Sequence, residues 1–250
     1  MVQKIFSIVI ILTLLYNFSY AQTDSIPKKK SLIIEGNFEY GGILAAGELR
    51  DKTFNGAYYS GFNIRVGWRI TASSDVHFKL YNNPTYGIGL YSSTFHTDIV
   101  GRPNAIYGFV QTPFGNINNK KWAFDYRIGL GLSGNFKPFN QANNPLNLAL
   151  GTKNNVFIDF GLRSQYKINN HFRAGLGISY HHFSNGALRL PNKGINIVPV
   201  SVSLTYQPDG KKITKDTSYT EPVSKNMLYH INVGAGLKQI ARESDKRYFK

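Results

Sequence analysis

The chain has 250 residues and no cysteine, and its 29 Lys and Arg against 14 Asp and Glu give a formal charge of +15. The absence of thiols excludes disulfides, thiolate metal sites and a lipidated N-terminal cysteine. The basic residues are scattered over turns and strand faces with no basic helix or aromatic-basic RNA motif, so the expected partner is an anionic membrane surface and not nucleic acid.

Met1-Val2-Gln3-Lys4 leads into an apolar run from Ile5 to Tyr16, followed by Ser19-Tyr20-Ala21. A positive start, a short greasy stretch and a small-x-small end read as a cleavable secretory signal over residues 1–21, with Gln22 as the first mature residue. Residues 22–30 read as a polar leader. No later stretch is apolar for long enough to form a spanning helix, so any membrane span within residues 22–250 must be built from strands.

Strand-like runs follow at 32–44, 59–70, 86–94, 104–114, 122–133, 156–168, 171–184, 195–206 and 228–241, separated by Gly, Asn, Pro and Asp clusters. Their alternation is sharp. Phe62, Ile64, Val66, Trp68 and Ile70 oppose Asn63, Arg65, Gly67 and Arg69, and Trp122, Phe124, Tyr126, Ile128, Leu130 and Leu132 oppose Asp125, Arg127, Gly129 and Gly131. Val156, Ile158, Phe160 and Leu162 oppose Asp159, Gly161 and Arg163 in the same way. A soluble β-sandwich also has one apolar and one polar face. Aromatics near strand ends (Trp68, Tyr86, Trp122, Tyr166, Tyr206) and the export signal favour the other solution, an all-β antiparallel transmembrane β-barrel of the bacterial outer membrane, greasy outside and charged inside.

Loops 45–58, 95–103, 134–155 and 185–194 are expected outside and tight turns such as Ile168-Asn169-Asn170 inside, although 71–85 and 207–227 are long for turns. Nine strands is an odd number, and an open edge leaves unpaired backbone groups in hydrocarbon. The expectation is therefore an incomplete C-terminus, the chain continuing beyond Lys250.

The chemistry concentrates in Tyr180-His181-His182-Phe183-Ser184-Asn185-Gly186. Residues i and i+2 of a strand share a face, so His182 and Ser184 lie side by side on the apolar, lipid-facing parity with Ala174, Leu176, Ile178 and Tyr180. That places a base next to a nucleophile. On the strand 195–206, Asn196 shares its parity with Val198, Val200 and Val202, and reaches the same rim, where it can orient the imidazole. His181 points into the lumen and reads as structural, as do Asp125, Arg127, Asp159, Arg163 and Glu39. Of the other acids, Asp159 and Glu221 have the wrong parity or lie at the wrong end. His77, His96, His171 and His230 lie apart, which gives no metal-ligand spacing. Gly87-Ile88-Gly89 and Gly129-Leu130-Gly131 lack the following helix of a phosphate loop. No cofactor is expected.

His-x-Ser-Asn-Gly followed by Pro191-Asn192-Lys193-Gly194-Ile195 resembles the PagL-type lipid A deacylases, outer-membrane barrel esterases with a His-x-Ser pair and a following acidic residue on the outer wall. The resemblance centres on residues 171–206, and Asn144-Pro145-Leu146-Asn147-Leu148-Ala149 is compatible with the related acyloxyacyl hydrolases. It implies His182 as base, Ser184 as nucleophile, Asn185 and Gly186 near the oxyanion, and lipid A or a related outer-leaflet glycolipid as substrate. The family's acidic position is Asn196 here. An amide holds a histidine tautomer but supplies no negative charge to an imidazolium. The alternative is a non-catalytic outer-membrane barrel, a pore, adhesin or structural protein, in which His182 and Ser184 only mark the interface.

Overall fold

The alternation of apolar and polar residues is realised as eight long antiparallel strands in the computed structural model, which describes residues 29–72, 78, 81–115, 120–210, 237–239 and 247–249. They are β1 (Lys29–Ile43), β2 (Tyr59–Ala72), β3 (Thr85–Thr94), β4 (Gly101–Pro113), β5 (Trp122–Phe136), β6 (Asn155–Lys167), β7 (Phe172–Ser184) and β8 (Ile195–Tyr206). Each strand pairs with its sequence neighbours, and β1 pairs with β8 from Ile34↔Tyr206 to Ile43↔Ile197, closing the barrel. Closure satisfies every edge, the condition a sheet must meet in hydrocarbon. The signal expected over residues 1–21 lies outside the described residues.

The expected ninth barrel strand is corrected. Of the run 228–241, the described part is a short strand β9 (Leu237–Gln239) paired with β10 (Arg247–Phe249), in a separate two-stranded sheet. Period-two alternation marks a strand but names no partner, and the seam between β1 and β8 leaves no edge for a ninth. The open edge expected from an odd count is therefore absent, and the barrel closes without any residue beyond Tyr206.

The two faces are inverted relative to a soluble protein. Ile128, Leu130, Phe160 and Leu176 are about half exposed or more on the outer wall, whereas Arg127 and Arg163 are 4% and 6% exposed inside. Ile70 departs from its parity and is buried, next to a register slip between Lys29 and Lys30 on β1.

The interior has two layers. Toward the turn end, Glu35 pairs with Arg65 (2.6 Å) and Arg163, Asp125 with Arg163 and Gln165, and Asp159 with Arg127 (2.6 Å). Toward the loop end, Tyr59, Tyr91, Phe95, Phe136, Phe157 and Phe183 stack into one aromatic cluster. Loop residues Leu49 and Phe54, the former in a single π-helical turn Leu49–Thr53, cover it together with Leu148, Ala149 and Leu150. The ring of Tyr107 also lies inside, across Gly89 and Gly129, where a Cβ would collide with it.

Loops 44–58, 95–100, 137–154 and 185–194 gather at one end and the hairpin after β6 lies at the other, as the connection lengths suggested. That hairpin is an Asx turn, with Asn169 Oδ1 accepting the N–H groups of His171 and Phe172, each at 2.8 Å.

Candidate active site on the outer wall

The antiparallel register of β7 and β8 sets His182 directly opposite Asn196 at the loop end. Both side chains are half-buried on the outer face. His182 Nδ1 lies 2.6 Å from Asn196 Oδ1. With the amide oxygen as acceptor, Nδ1 carries the proton and Nε2 keeps its lone pair, the tautomer a general base needs. Tyr180 also shares this face, and its hydroxyl donates to the same oxygen at 2.7 Å. One carbonyl thus takes two donors, which holds the amide against rotation.

Ser184 is two residues along the same face and half-buried, opposite Val156 of β6. Among the described residues its hydroxyl makes no hydrogen bond to His182. The strand brings the two side chains to one side of the wall. Behind the imidazole, Gly194 has φ +73°, and a Cβ there would come within 3.0 Å of His182 Cε1. Only glycine accepts both that backbone and that approach.

The loop 185–194 supports this edge. The Asn185 N–H donates to Asn192 Oδ1 (2.9 Å), and its side-chain amide donates to Thr152 Oγ1 (3.0 Å) and the Arg189 carbonyl (2.9 Å). Asn185 thus acts on the loop's shape, with its main-chain donor already used. Gly186 is exposed at φ +64° beside Ser184. The long loop after β5 props the whole segment, since Gly194 N–H donates to Ala149 O and Leu150 bridges Asn192. Asp159, the acid set aside on parity, is fully buried in the lumen. Glu221 lies outside the described residues.

Sequence reasoning brought His182, Ser184 and Asn196 to one rim but assigned nothing to Tyr180, Asn192, Thr152 or Gly194. The parity of Tyr180 was one available signal, and Asn192 and Gly194 stand in the segment that carries the resemblance; their contacts run through loops that have no periodicity. Next to Tyr180, an apolar groove of about 320 Å³ runs down the outer wall between Ile128, Phe160, Leu162, Ile178 and Val198.

The family described as lipid A 3-O-deacylase (PagL) matches residues 62–205, more than half of the chain. No curated protein matches by sequence. Among solved structures, that of the outer membrane enzyme PagL is similar at a TM-score of 0.50 and 12% identity, covering 68% of this chain and 97% of that one. Neisserial surface protein A is similar at a TM-score of 0.46 and 8% identity, covering 72% and 99%. The N-terminal β-barrel domain of Pseudomonas aeruginosa OprF is similar at 0.40 and 12% identity, covering 71% and 100%. With a closed eight-stranded barrel and a family match that runs from β2 to β8, the chain belongs to the PagL lipid A 3-O-deacylase family of the outer membrane.

Proposed function

We propose that this protein is a serine esterase that removes an ester-linked acyl chain from lipid A or a related outer-leaflet glycolipid. The observation that carries the reading is the 2.6 Å contact between His182 Nδ1 and Asn196 Oδ1 on the lipid-facing wall, two residues before Ser184. Ser184 Oγ attacks the acyl carbonyl and gives its proton to His182 Nε2. The Gly186 N–H is assigned to the developing oxyanion, His182 returns the proton to the leaving sugar oxygen, and water then releases the fatty acid. The substrate already lies in the leaflet, so the acyl chain needs no internal pocket; the groove beside Tyr180 is apolar and open to lipid. The exposed Arg189 and Lys193 on the adjoining loop suit the phosphates of such a lipid. Residues 1–21 serve as the export signal in this reading.

The non-catalytic alternative is weaker in its pore form, because charged pairs and the aromatic cluster occupy the described lumen. Mass spectrometry of lipid A from cells with and without the protein tests the proposal. Loss of one acyl mass on expression is the expected result, and an unchanged lipid A profile despite a folded barrel argues for the non-catalytic reading.

A further inference from the structure

A serine and a histidine are in hydrogen-bond contact elsewhere on the rim. Ser60, at the loop end of β2, lies on the outward parity with Phe62 and Ile64, and its Oγ is 3.0 Å from His96 Nε2. His96 is exposed, just beyond β3, at φ +49°, a left-handed conformation that a non-glycine residue rarely adopts. Two contacts hold it there. Its N–H donates to Thr94 Oγ1 at 3.2 Å, and its ring stacks on Tyr58 with centroids 3.8 Å apart and planes at 13°. Tyr58 is in turn 5.8 Å from the ring of Tyr40. Thr94 is the cross-strand partner of Ser60, so its hydroxyl shares the same outward patch. Ser60 is three strands round the wall from Ser184, at the same end of the barrel.

We infer that Ser60 and His96 form a second nucleophile–base pair on the outer wall, reactive toward acyl esters at the membrane interface. Ser60 Oγ donates into His96 Nε2, and the stacked Tyr58 fixes the plane of the imidazole so that this lone pair stays aimed at the hydroxyl. In attack, Oγ bonds the acyl carbon and its proton passes to Nε2. The carbon–oxygen bond to the alcohol breaks and the departing oxygen takes the proton from His96, and water subsequently cleaves the acyl-serine in the same way. The Thr94 hydroxyl, which accepts the His96 N–H through a lone pair, keeps its own proton for the carbonyl oxygen. This pair contains no residue of the His182–Ser184 site, and the inference does not rest on that site.

The test uses an alkyl fluorophosphonate on the full chain carrying Ser184→Ala, folded in detergent, with peptide mass spectrometry to locate the adduct. Here Oγ bonds phosphorus, fluoride leaves, and His96 takes the proton. The expected result is an adduct on Ser60 that His96→Gln reduces by about 10²-fold, the scale of a lost general base. Tyr58→Ala, which keeps the base but frees its ring, should give an intermediate loss. Each variant is first shown to migrate as a folded barrel. A folded Ser184→Ala barrel with no adduct on Ser60 overturns the inference, as does a Ser60 adduct that His96→Gln leaves undiminished.

Discussion

His181 and His182 are consecutive, yet the pleat sends them into two environments. His181 is fully buried in the lumen, with Nε2 2.7 Å from Glu39 Oε2 and Nδ1 3.2 Å from Asp159 Oδ1. Tyr59, Tyr91 and Phe157 pack around it. His182 stands on the outer wall and faces an uncharged amide through Nδ1, and its Nε2 has no hydrogen bond among the described residues. Both nitrogens of the first lie within 3.2 Å of buried carboxylates, which ties it into the polar lining that fills the barrel. The second has one nitrogen anchored and one available, the arrangement a proton carrier needs. Under the proposed function, the same side chain is a structural element or a chemical one according to which face of a single strand it occupies.

Mutating the two separately should split stability from chemistry. In a Ser60→Ala background, His182→Ala is expected to lower fatty-acid release by about 10²–10⁴-fold, as loss of a catalytic base does, with little change in the temperature at which the barrel unfolds on a gel. His181→Ala should reverse the pattern. It leaves Glu39 and Asp159 without their shared partner, and breaking a buried pair costs about 3–5 kcal/mol, so unfolding shifts to lower temperature while the folded fraction keeps its activity. A folded His181→Ala barrel without activity would break the contrast. Asp159→Asn, which strips Arg127 of its 2.6 Å partner, should also act on unfolding temperature and spare turnover.

Much of this division was legible in the sequence because two-residue periodicity is a strong signal when one face is lipid and the other is charged. The outward set of Ile128, Phe160 and Leu176 and the inward set of Arg127, Asp159 and Arg163 follow from parity alone. Parity also brought Asn196 to the rim, and the register turned that into a contact with His182. The strand count was not legible, since the pattern at 228–241 resembles a barrel strand but cannot say which edge it meets. The aromatic cap was hidden for a related reason. Phe54, Phe95 and Leu148 come from loops, whose fold depends on contacts such as Thr53 Oγ1 donating to Leu146 O at 2.7 Å and accepting Leu148 N–H at 3.0 Å.

Smaller effects sharpen the outer-wall half of the comparison. Asn196→Ala removes the hydrogen bond that orients the imidazole, worth about 1–1.5 kcal/mol, and should slow release about 10-fold in a steady-state assay. Asn196→Asp should instead speed it, because a carboxylate stabilises the imidazolium that the amide cannot. A slower Asn196→Asp enzyme would show that the amide is suited to this site in some other way. Tyr180→Phe removes one of two donors to Asn196 Oδ1 and should cost only a few-fold, about 0.5–1 kcal/mol, in kcat.

The most direct measurement is fatty-acid release from lipid A in detergent by the purified barrel and by Ser184→Ala, with both confirmed as folded. Release by the native chain and a large loss in Ser184→Ala, with any remaining release abolished by adding Ser60→Ala, is the expected result. Equal release from the two proteins would contradict Ser184 as the nucleophile, and no release from either would leave the outer-wall histidine as an interfacial residue on a non-catalytic barrel.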